Sequence, residues 1–592
     1  FFLCSMNTIV FFVLAIIIVC GVQAIVIQTD LGQWEGSESE YSYGFNGIPY
    51  ALPPVGDRRW RVPETNEGLF SQSFSGNFTN PGPACIQTSS VISKEFPFGY
   101  SEDCLTLNIE IPKSALNSET NSFGGDLPVM VFIHGGGFTI GMGKEFYVRE
   151  EEFVKRDVIF VSINYRLSIF GFLSLPELRQ ENPNAYNFGL LDQRMALGWV
   201  MSHIHHFGGD NKKITIFGES AGAMSVLWQV TADESHLPDN QSLHNLYGAI
   251  AQSPADIPII SCVEVDKIYK NLLKDYVPEE TSFLKGLRDL DAEYLIYSLP
   301  GFPENRKLMF HTLNPNTPYL MPCTHDGIFS KSYRDAIATE NFNSNPNYII
   351  GTCNDEGTLF TFLTYMGFEN NDADSFSAMF HSCYPKEDAL KLVDKYLSYR
   401  HLSLREILDE YMGDAYFQVG SYNLANQISN KQPNTYRYVF NQTDLSNSGP
   451  PEHLKVFHGS DLGYIFHLSE GGLTPEFFTD EQEIVSMAMI DYWINFAKTG
   501  NPSPPGSSLV EWPKYSKDKQ YTQNLKYPIH TLESYRQEIC DFWNNIYPSG
   551  LPWMGECSEL VHEKHLSWAI NSVLFYCLAR ARKVLAILGI FG

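Results

Sequence analysis

The sequence predicts an α/β fold: a central, mostly parallel sheet with helices on both faces. Three observations carry the prediction. Strand-length runs such as Val129-Met130-Val131-Phe132-Ile133 are apolar at every position, which suits strands buried on both faces. Between such runs the apolar spacing becomes helical. No internal repeat and no low-complexity linker divides the chain.

The elements follow in order. Met6 reads as the start of a leader, with an apolar core from Thr8 to Cys20 and small residues at Val22-Gln23-Ala24 for cleavage after Ala24. Residues 1–24 are therefore expected to be a signal peptide, and the mature protein to be secreted and extracellular. The stretch 77–100 is loop-rich. Strands are expected at 129–133, 157–163, 213–217, 248–251, 348–350 and 436–440. Helices are expected at 190–200, ended by Gly208-Gly209, and at 223–230. Residues 501–508 read as a surface loop. One large domain spans 25–550. In the extension 551–592, apolar stretches flank Arg580-Ala581-Arg582-Lys583. This tail reads as an amphipathic surface segment or a plain extension ahead of a membrane anchor, because its apolar runs are short and the basic cluster breaks them.

Composition narrows the partners. Of 592 residues, 44% are hydrophobic and 14% aromatic, enough for a large core. Asp and Glu number 68 against 41 Lys and Arg, a formal charge of −27. That balance argues against nucleic acid or an anionic membrane as partner and suits neutral or cationic small molecules. There are 11 cysteines, two of them (Cys4, Cys20) in the leader, so an odd number remains. None has zinc-ligand spacing, and no metal or cofactor is expected. Sequons at Asn77, Asn240 and Asn441 fit a secreted glycoprotein.

The chemistry centres on Phe217-Gly218-Glu219-Ser220-Ala221-Gly222. A β-branched run precedes it and a helix-compatible run follows, so Gly-x-Ser-x-Gly sits where a nucleophile elbow forms. The motif alone arises by chance in about one chain of this length in five, so its surroundings decide. A serine nucleophile needs a base, a carboxylate to orient that base, and donors for the oxyanion. His134-Gly135-Gly136-Gly137-Phe138 follows the first apolar strand and supplies a glycine turn. The expected donors are the amides of Gly136, Gly137 and Ala221. His458 lies after the serine in the required order, with His453 as the nearest alternative. The cluster at His203, His205 and His206 precedes Ser220 and reads as surface or packing. The acid should follow the 348–350 strand, where spacing does not separate Asp355 from Glu356.

With these residues in view, the chain resembles the type-B carboxylesterase/lipase (cholinesterase-like) family, and its insect carboxylesterases in particular. The likeness runs from Gly44-Phe45-Asn46-Gly47-Ile48-Pro49 to Cys540-Asp541-Phe542-Trp543 and includes Glu102-Asp103-Cys104-Leu105, Asn164-Tyr165-Arg166-Leu167 and Phe207-Gly208-Gly209-Asp210. It implies an α/β-hydrolase fold and a carboxylesterase domain over 25–550. It implies a catalytic triad of Ser220, Glu356 and His458, an oxyanion hole of Gly136, Gly137 and Ala221, and supporting roles for Glu219 and Ser253. It implies a disulfide between Cys85 and Cys104, worth about 3 kcal/mol on the chain-entropy model. It also implies ion pairs of Arg59 with Glu102 and of Arg166 with Asp192.

Departures from the family pattern shape the remaining expectations. Gly286 stands where the partner of Cys262 would be expected, so the family's second disulfide is not visible and the pairing of Cys262 is left open. Cys323, Cys353, Cys383, Cys540, Cys557 and Cys577 are left unassigned. Gln252-Ser253-Pro254 alters a segment beside the acyl pocket. No Trp lies between Cys85 and Cys104, which argues against a choline ester held by a cation–π contact. The expected function is secreted hydrolysis of a small-molecule carboxylic ester, be it xenobiotic, hormone, pheromone or lipid. The rival expectations are a non-catalytic adhesion protein on the same fold and a stoichiometric ester or organophosphate scavenger. The oligomeric state is left open.

Overall fold

A 13-stranded mixed sheet runs through the protein. The computed structural model describes residues 23–66, 68–87, 98–145, 147–236, 242–278, 282–298, 319–364, 376–377, 380–381, 384–443, 452–468 and 478–548. The leader through residue 22, Asn240, Cys383, Cys557, Cys577 and the extension 551–592 lie outside the described residues. Gln23 and Ala24 open the first strand.

The strands that matter here are β1 (Gln23–Thr29), β2 (Gly32–Glu38), β3 (Ser42–Pro49), β4 (Thr106–Pro112), β5 (Leu127–Ile133), β6 (Ile159–Ile163), β7 (Gly209–Glu219), β8 (Gly248–Gln252), β9 (Asn347–Cys353), β10 (Thr435–Phe440), β11 (Thr522–Leu525) and β12 (His530–Leu532). Their spatial order is β1-β2-β3-β4-β6-β5-β7-β8-β9-β10-β11-β12, and a short strand, Ser75–Asn77, pairs with β2 off this path. From β6 to β11 every pairing is parallel. The edges are antiparallel: β1 to β4 form a meander that joins β6, and β12 closes the far side.

Both faces of the centre are buried, and the strands show it residue by residue. Val129, Val131 and Ile133 of β5 belong to one hydrophobic cluster, while Met130 and Phe132 belong to the other. Ile159, Val161 and Ile163 of β6 divide from Phe160 in the same way. This is the two-residue alternation of a pleated strand with an apolar layer on each side. One layer comes from α1 (Phe188–His203), α2 (Ala221–Thr231) and α5 (Val419–Lys431), the other from α6 (Asp480–Thr499). The numbering follows chain order, with α3 (Gly357–Thr364) and α4 (Leu404–Gly413) between α2 and α5. Gly208, at φ +83, ends the turn after α1.

The chain leaves β5 for β6 on one side and returns to β7 on the other. That reversal opens a crevice at the carboxyl ends of β5 and β7, where ligands bind in sheets of this kind. The loops after β5, β7 and β9 all start on that edge.

A disulfide joins Cys85 to Cys104. A second joins Cys262 to Cys323, across 61 residues, and supplies a pairing that the sequence left open. Backbone pairing brings them together: Thr324 N donates to Ile260 O (3.0 Å) and Cys262 N donates to Thr324 O (2.8 Å). Cys262 thus bonds across a local bridge rather than to position 286, where a Cβ would lie 2.3 Å from Val277 Cγ1. Cys353 and Cys540 are buried free thiols.

Arg59 Nη2 meets Glu102 Oε2 at 2.6 Å, and Arg166 Nη2 meets Asp192 Oδ1 at 2.7 Å. The second pair is fully buried, and Asp192 Oδ2 accepts from both Nε and the backbone N of Arg166. Removing one charge strands the other in the core. Asp192→Asn is therefore expected to cost about 3–5 kcal/mol, read as a fall in the denaturant midpoint. A cost below about 1 kcal/mol would mean that Arg166 finds other partners.

Candidate active site

The elbow is built by steric exclusion. Ser220 sits between β7 and α2 at φ 59, ψ −122, a region costly for a residue with a Cβ. Its backbone N donates to Gln252 O of the next strand (2.8 Å). A Cβ on Gly218 would lie 2.5 Å from Ile133 O, and one on Gly222 would lie 2.1 Å from the same atom. The turn can press this closely against β5 only because both flanking residues are glycine. Ser220 itself is partly exposed.

The glycine loop leaves β5 beside it. Gly136 has φ +95 and Gly137 has φ +60. Gly136 O accepts from Thr139 N and Ile140 N, both at 3.1 Å, so the loop curls back on itself. The N–H groups of Gly136, Gly137 and Ala221 donate to no partner among the described residues. Ala221 is the first residue of α2, where the helix leaves its N–H groups free.

His458 lies against Glu219, the residue before the serine, and its Nδ1 is 2.6 Å from Glu356 Oε2. Glu356 is fully buried, and its other oxygen accepts from Cys353 N at 2.7 Å. Geometry separates the two adjacent acids: Asp355 turns instead to Val456 N (3.3 Å) and Asn354 Nδ2 (3.1 Å). His458 Nε2 faces Glu219 Oε1 at 3.1 Å, and Ser220 Oγ makes no hydrogen bond among the described residues. The His458 ring also packs on Phe360 and Phe417, with centroids at 4.9 and 4.7 Å. Phe417 lies in a π-helical turn, Asp414–Gln418, between α4 and α5. Such turns recur at functional sites.

Three buried carboxylates surround one imidazole. Burial pushes Glu219 up to about 8. Burial alone would lower His458, but Glu219 and then Glu356 outweigh it and hold the imidazolium up to about 9. Oε1 and Nε2 lie at ion-pair distance, and neither makes a hydrogen bond among the described residues. Asp461 is the third carboxylate; burial raises it, while Gln252 Nε2 and Tyr438 OH donate to its Oδ2 at 3.1 and 2.8 Å. Ser253, at φ 53 after β8, is buried with an unpartnered hydroxyl.

Asp461, Phe360 and Phe417 did not emerge from the sequence. Asp461 stands three residues after His458, a spacing that could have drawn notice; the aromatics carry no local signal. His453 packs at a tilt on Phe362, with ring centroids at 5.0 Å. In the other histidine cluster, His206 pairs with Asp30 at 3.2 Å. Among the described residues no group of His, Cys, Asp and Glu could hold a metal ion. Asn77 is exposed and Asn441 partly so.

Residues 23–543 match the carboxylesterase family. The chain belongs to that family. The acetylcholinesterase of Bungarus fasciatus is 29% identical over 555 residues, 89% of this chain and 86% of that protein. The cocaine esterase of Homo sapiens is 31% identical over 544 residues, 87% of this chain and 89% of that protein. A solved PNB esterase structure has TM-score 0.70 at 27% identity and covers 90% of this chain and 100% of its own. The α/β-hydrolase fold and the carboxylesterase assignment implied by the sequence both stand. Among the described residues no helix is long and apolar enough to cross a membrane.

The charge balance at His458 is open to measurement. Glu219→Gln removes the strongest charge that holds up the imidazolium, so His458 should lose its proton at lower pH in a histidine NMR titration. A group raised above its usual value of 6.5 stabilises the fold fully below that pH and loses this effect as pH rises through about 9. The fall in unfolding free energy between pH 6.5 and 9 should accordingly be shallower in Glu219→Gln. An unchanged midpoint would mean that Glu219 carries no charge facing Nε2.

Proposed function

We propose that this carboxylesterase-family hydrolase cleaves small carboxylic esters with Ser220 as nucleophile, His458 as general base and acid, and Glu356 as the carboxylate that orients His458. The observation that carries the reading is the 2.6 Å contact of His458 Nδ1 with buried Glu356, set beside a strained serine elbow. With His458 neutral and its Nδ1–H on Glu356, Nε2 carries the free lone pair and takes the Ser220 proton as Oγ attacks the ester carbonyl. The amides of Gly136, Gly137 and Ala221, which donate to no partner among the described residues, receive the oxyanion. Nε2 then protonates the leaving alcohol. Water, deprotonated by the same nitrogen, attacks the acyl-enzyme and frees the acid and Ser220. His458 becomes cationic in each half-reaction, and Glu356 stabilises that cation without taking its proton.

The acetylcholinesterase relative acts on an ester of a quaternary amine, but no Trp stands between Cys85 and Cys104 to hold such a cation. A neutral ester fits better with that absence. The apolar leader supports a secreted enzyme, and exposed Asn77 supports glycosylation in that compartment.

An organophosphate should label Ser220 stoichiometrically and abolish hydrolysis of short p-nitrophenyl esters. Ser220→Ala should lower kcat by about 10⁴-fold or more. Burst labelling without turnover would point to a scavenger, and full activity in Ser220→Ala would exclude the mechanism. A panel of esters graded in acyl and alcohol length, with a choline ester included, tests the substrate class; preference for the choline ester would overturn the neutral-ester reading.

A further inference from the structure

Gln87 stands two residues after Cys85, on the segment closed by the Cys85–Cys104 disulfide. It is 4% exposed, and its side chain folds onto a residue 54 positions away. Its Nε2 donates to Gly141 O at 2.9 Å, and Gly141 N donates to its Oε1 at 2.9 Å. Nε2 also donates to Cys85 O at 3.1 Å. One primary amide thus pairs with both polar groups of one residue of main chain, which fixes position and rotation together.

Gly141 ends the glycine loop that follows β5. It has φ +120, and a Cβ there would lie 2.2 Å from His134 Nδ1 and 2.9 Å from Gly135 O. Its backbone is therefore pressed against the first residues of the loop. The middle of the loop is held elsewhere, by Ser168 N donating to Phe138 O (2.7 Å). The far end is held by Gln87. We infer that Gln87 is a positioning residue for the amides of Gly136 and Gly137, clamping the end of their loop so that both point at the forming oxyanion. The inference rests on the reading of Ser220 as an acyl-transfer nucleophile. Donors in such a site act because they need no reorganisation during the reaction. Deleting one outright costs about 10²–10³-fold in kcat, so a loosened pair should cost about 10–100-fold.

Gln87→Met keeps the length and removes both hydrogen bonds to Gly141. With rates normalised to organophosphate-titrated sites, kcat should fall by about 10–100-fold while KM stays within about threefold. The affinity for a trifluoromethyl ketone, which forms a tetrahedral oxyanion on the serine, should fall in proportion to kcat/KM. Gln87→Glu still accepts from Gly141 N and should lose less. Hydrogen exchange at the amides of residues 136–141 should accelerate in both variants. A purely structural residue would lower yield and melting temperature but leave kcat per titrated site unchanged. Unchanged kcat per site together with unchanged exchange at 136–141 overturns the inference. Should Gln87→Met fail to fold, Gln87→Glu decides by the same readouts. An inert wild-type enzyme would instead refute the functional reading, and exchange at 136–141 would still report whether Gln87 holds the loop.

Discussion

The close approach of three backbones at Ile133 O is the constraint on which the site depends. This carbonyl at the end of β5 faces the Cα hydrogens of Gly218 and Gly222, where any side chain would collide. Because β7 and α2 fit against it this tightly, Ser220 is forced to positive φ, and the start of α2 sits over the glycine loop. The serine, the Ala221 amide and the Gly136 and Gly137 amides are consequently products of one packing event. The strain at Ser220, of the order of 1–3 kcal/mol, is offset by an apolar sheet buried on both sides.

The electrostatic counterpart is the crowding of Glu219, Glu356 and Asp461 around His458. Only one of the three meets Nδ1, and its other oxygen is satisfied by a backbone N–H. On the proposed reading, that asymmetry divides the roles. Glu356 is oriented to keep the imidazole in one tautomer. Glu219 reaches the opposite nitrogen, where it sets the proton affinity instead. Asp461 spends its hydrogen bonds on Gln252 and Tyr438 and acts on His458 only across space.

The parts of the fold that could be read from sequence are those whose burial is symmetrical. The strands β5, β6 and β8 are covered on both faces, so their runs are mostly apolar and stand out against the helices between them. The meander of β1 to β3 is different. Gly32-Gln33-Trp34-Glu35-Gly36-Ser37-Glu38 exposes alternate residues and carries two glycines, so a propensity reading passes over it. Within the site, Ser220, the glycine loop and His458 were legible because each needs a residue type or a backbone freedom that leaves a mark. Phe360, Phe417 and Gln87 were not, because a buried phenylalanine or glutamine looks the same wherever it packs. The bond between Cys262 and Cys323 was hidden for a related reason: it depends on a bridge between Ser261 and Thr324, which no local pattern announces.

The choice between Asp355 and Glu356 shows where spacing ends and geometry begins. Both acids lie on one turn after β9, and both are within reach of the segment that carries His458. Their backbones settle their directions. Asp355 N donates to Val456 O (3.0 Å) and Asp355 Oδ2 accepts from Val456 N (3.3 Å), so this residue joins the acid turn to the chain two residues before His458. Asp355 is thereby committed to spanning main chain to main chain. The extra methylene of Glu356 lets its carboxylate fold back to Cys353 N and still present Oε2 to the imidazole. One acid sets the distance between the two loops, and the next uses that distance to reach His458 Nδ1. The division of labour follows from side-chain length on a fixed turn, which is why it is invisible to spacing and plain in three dimensions.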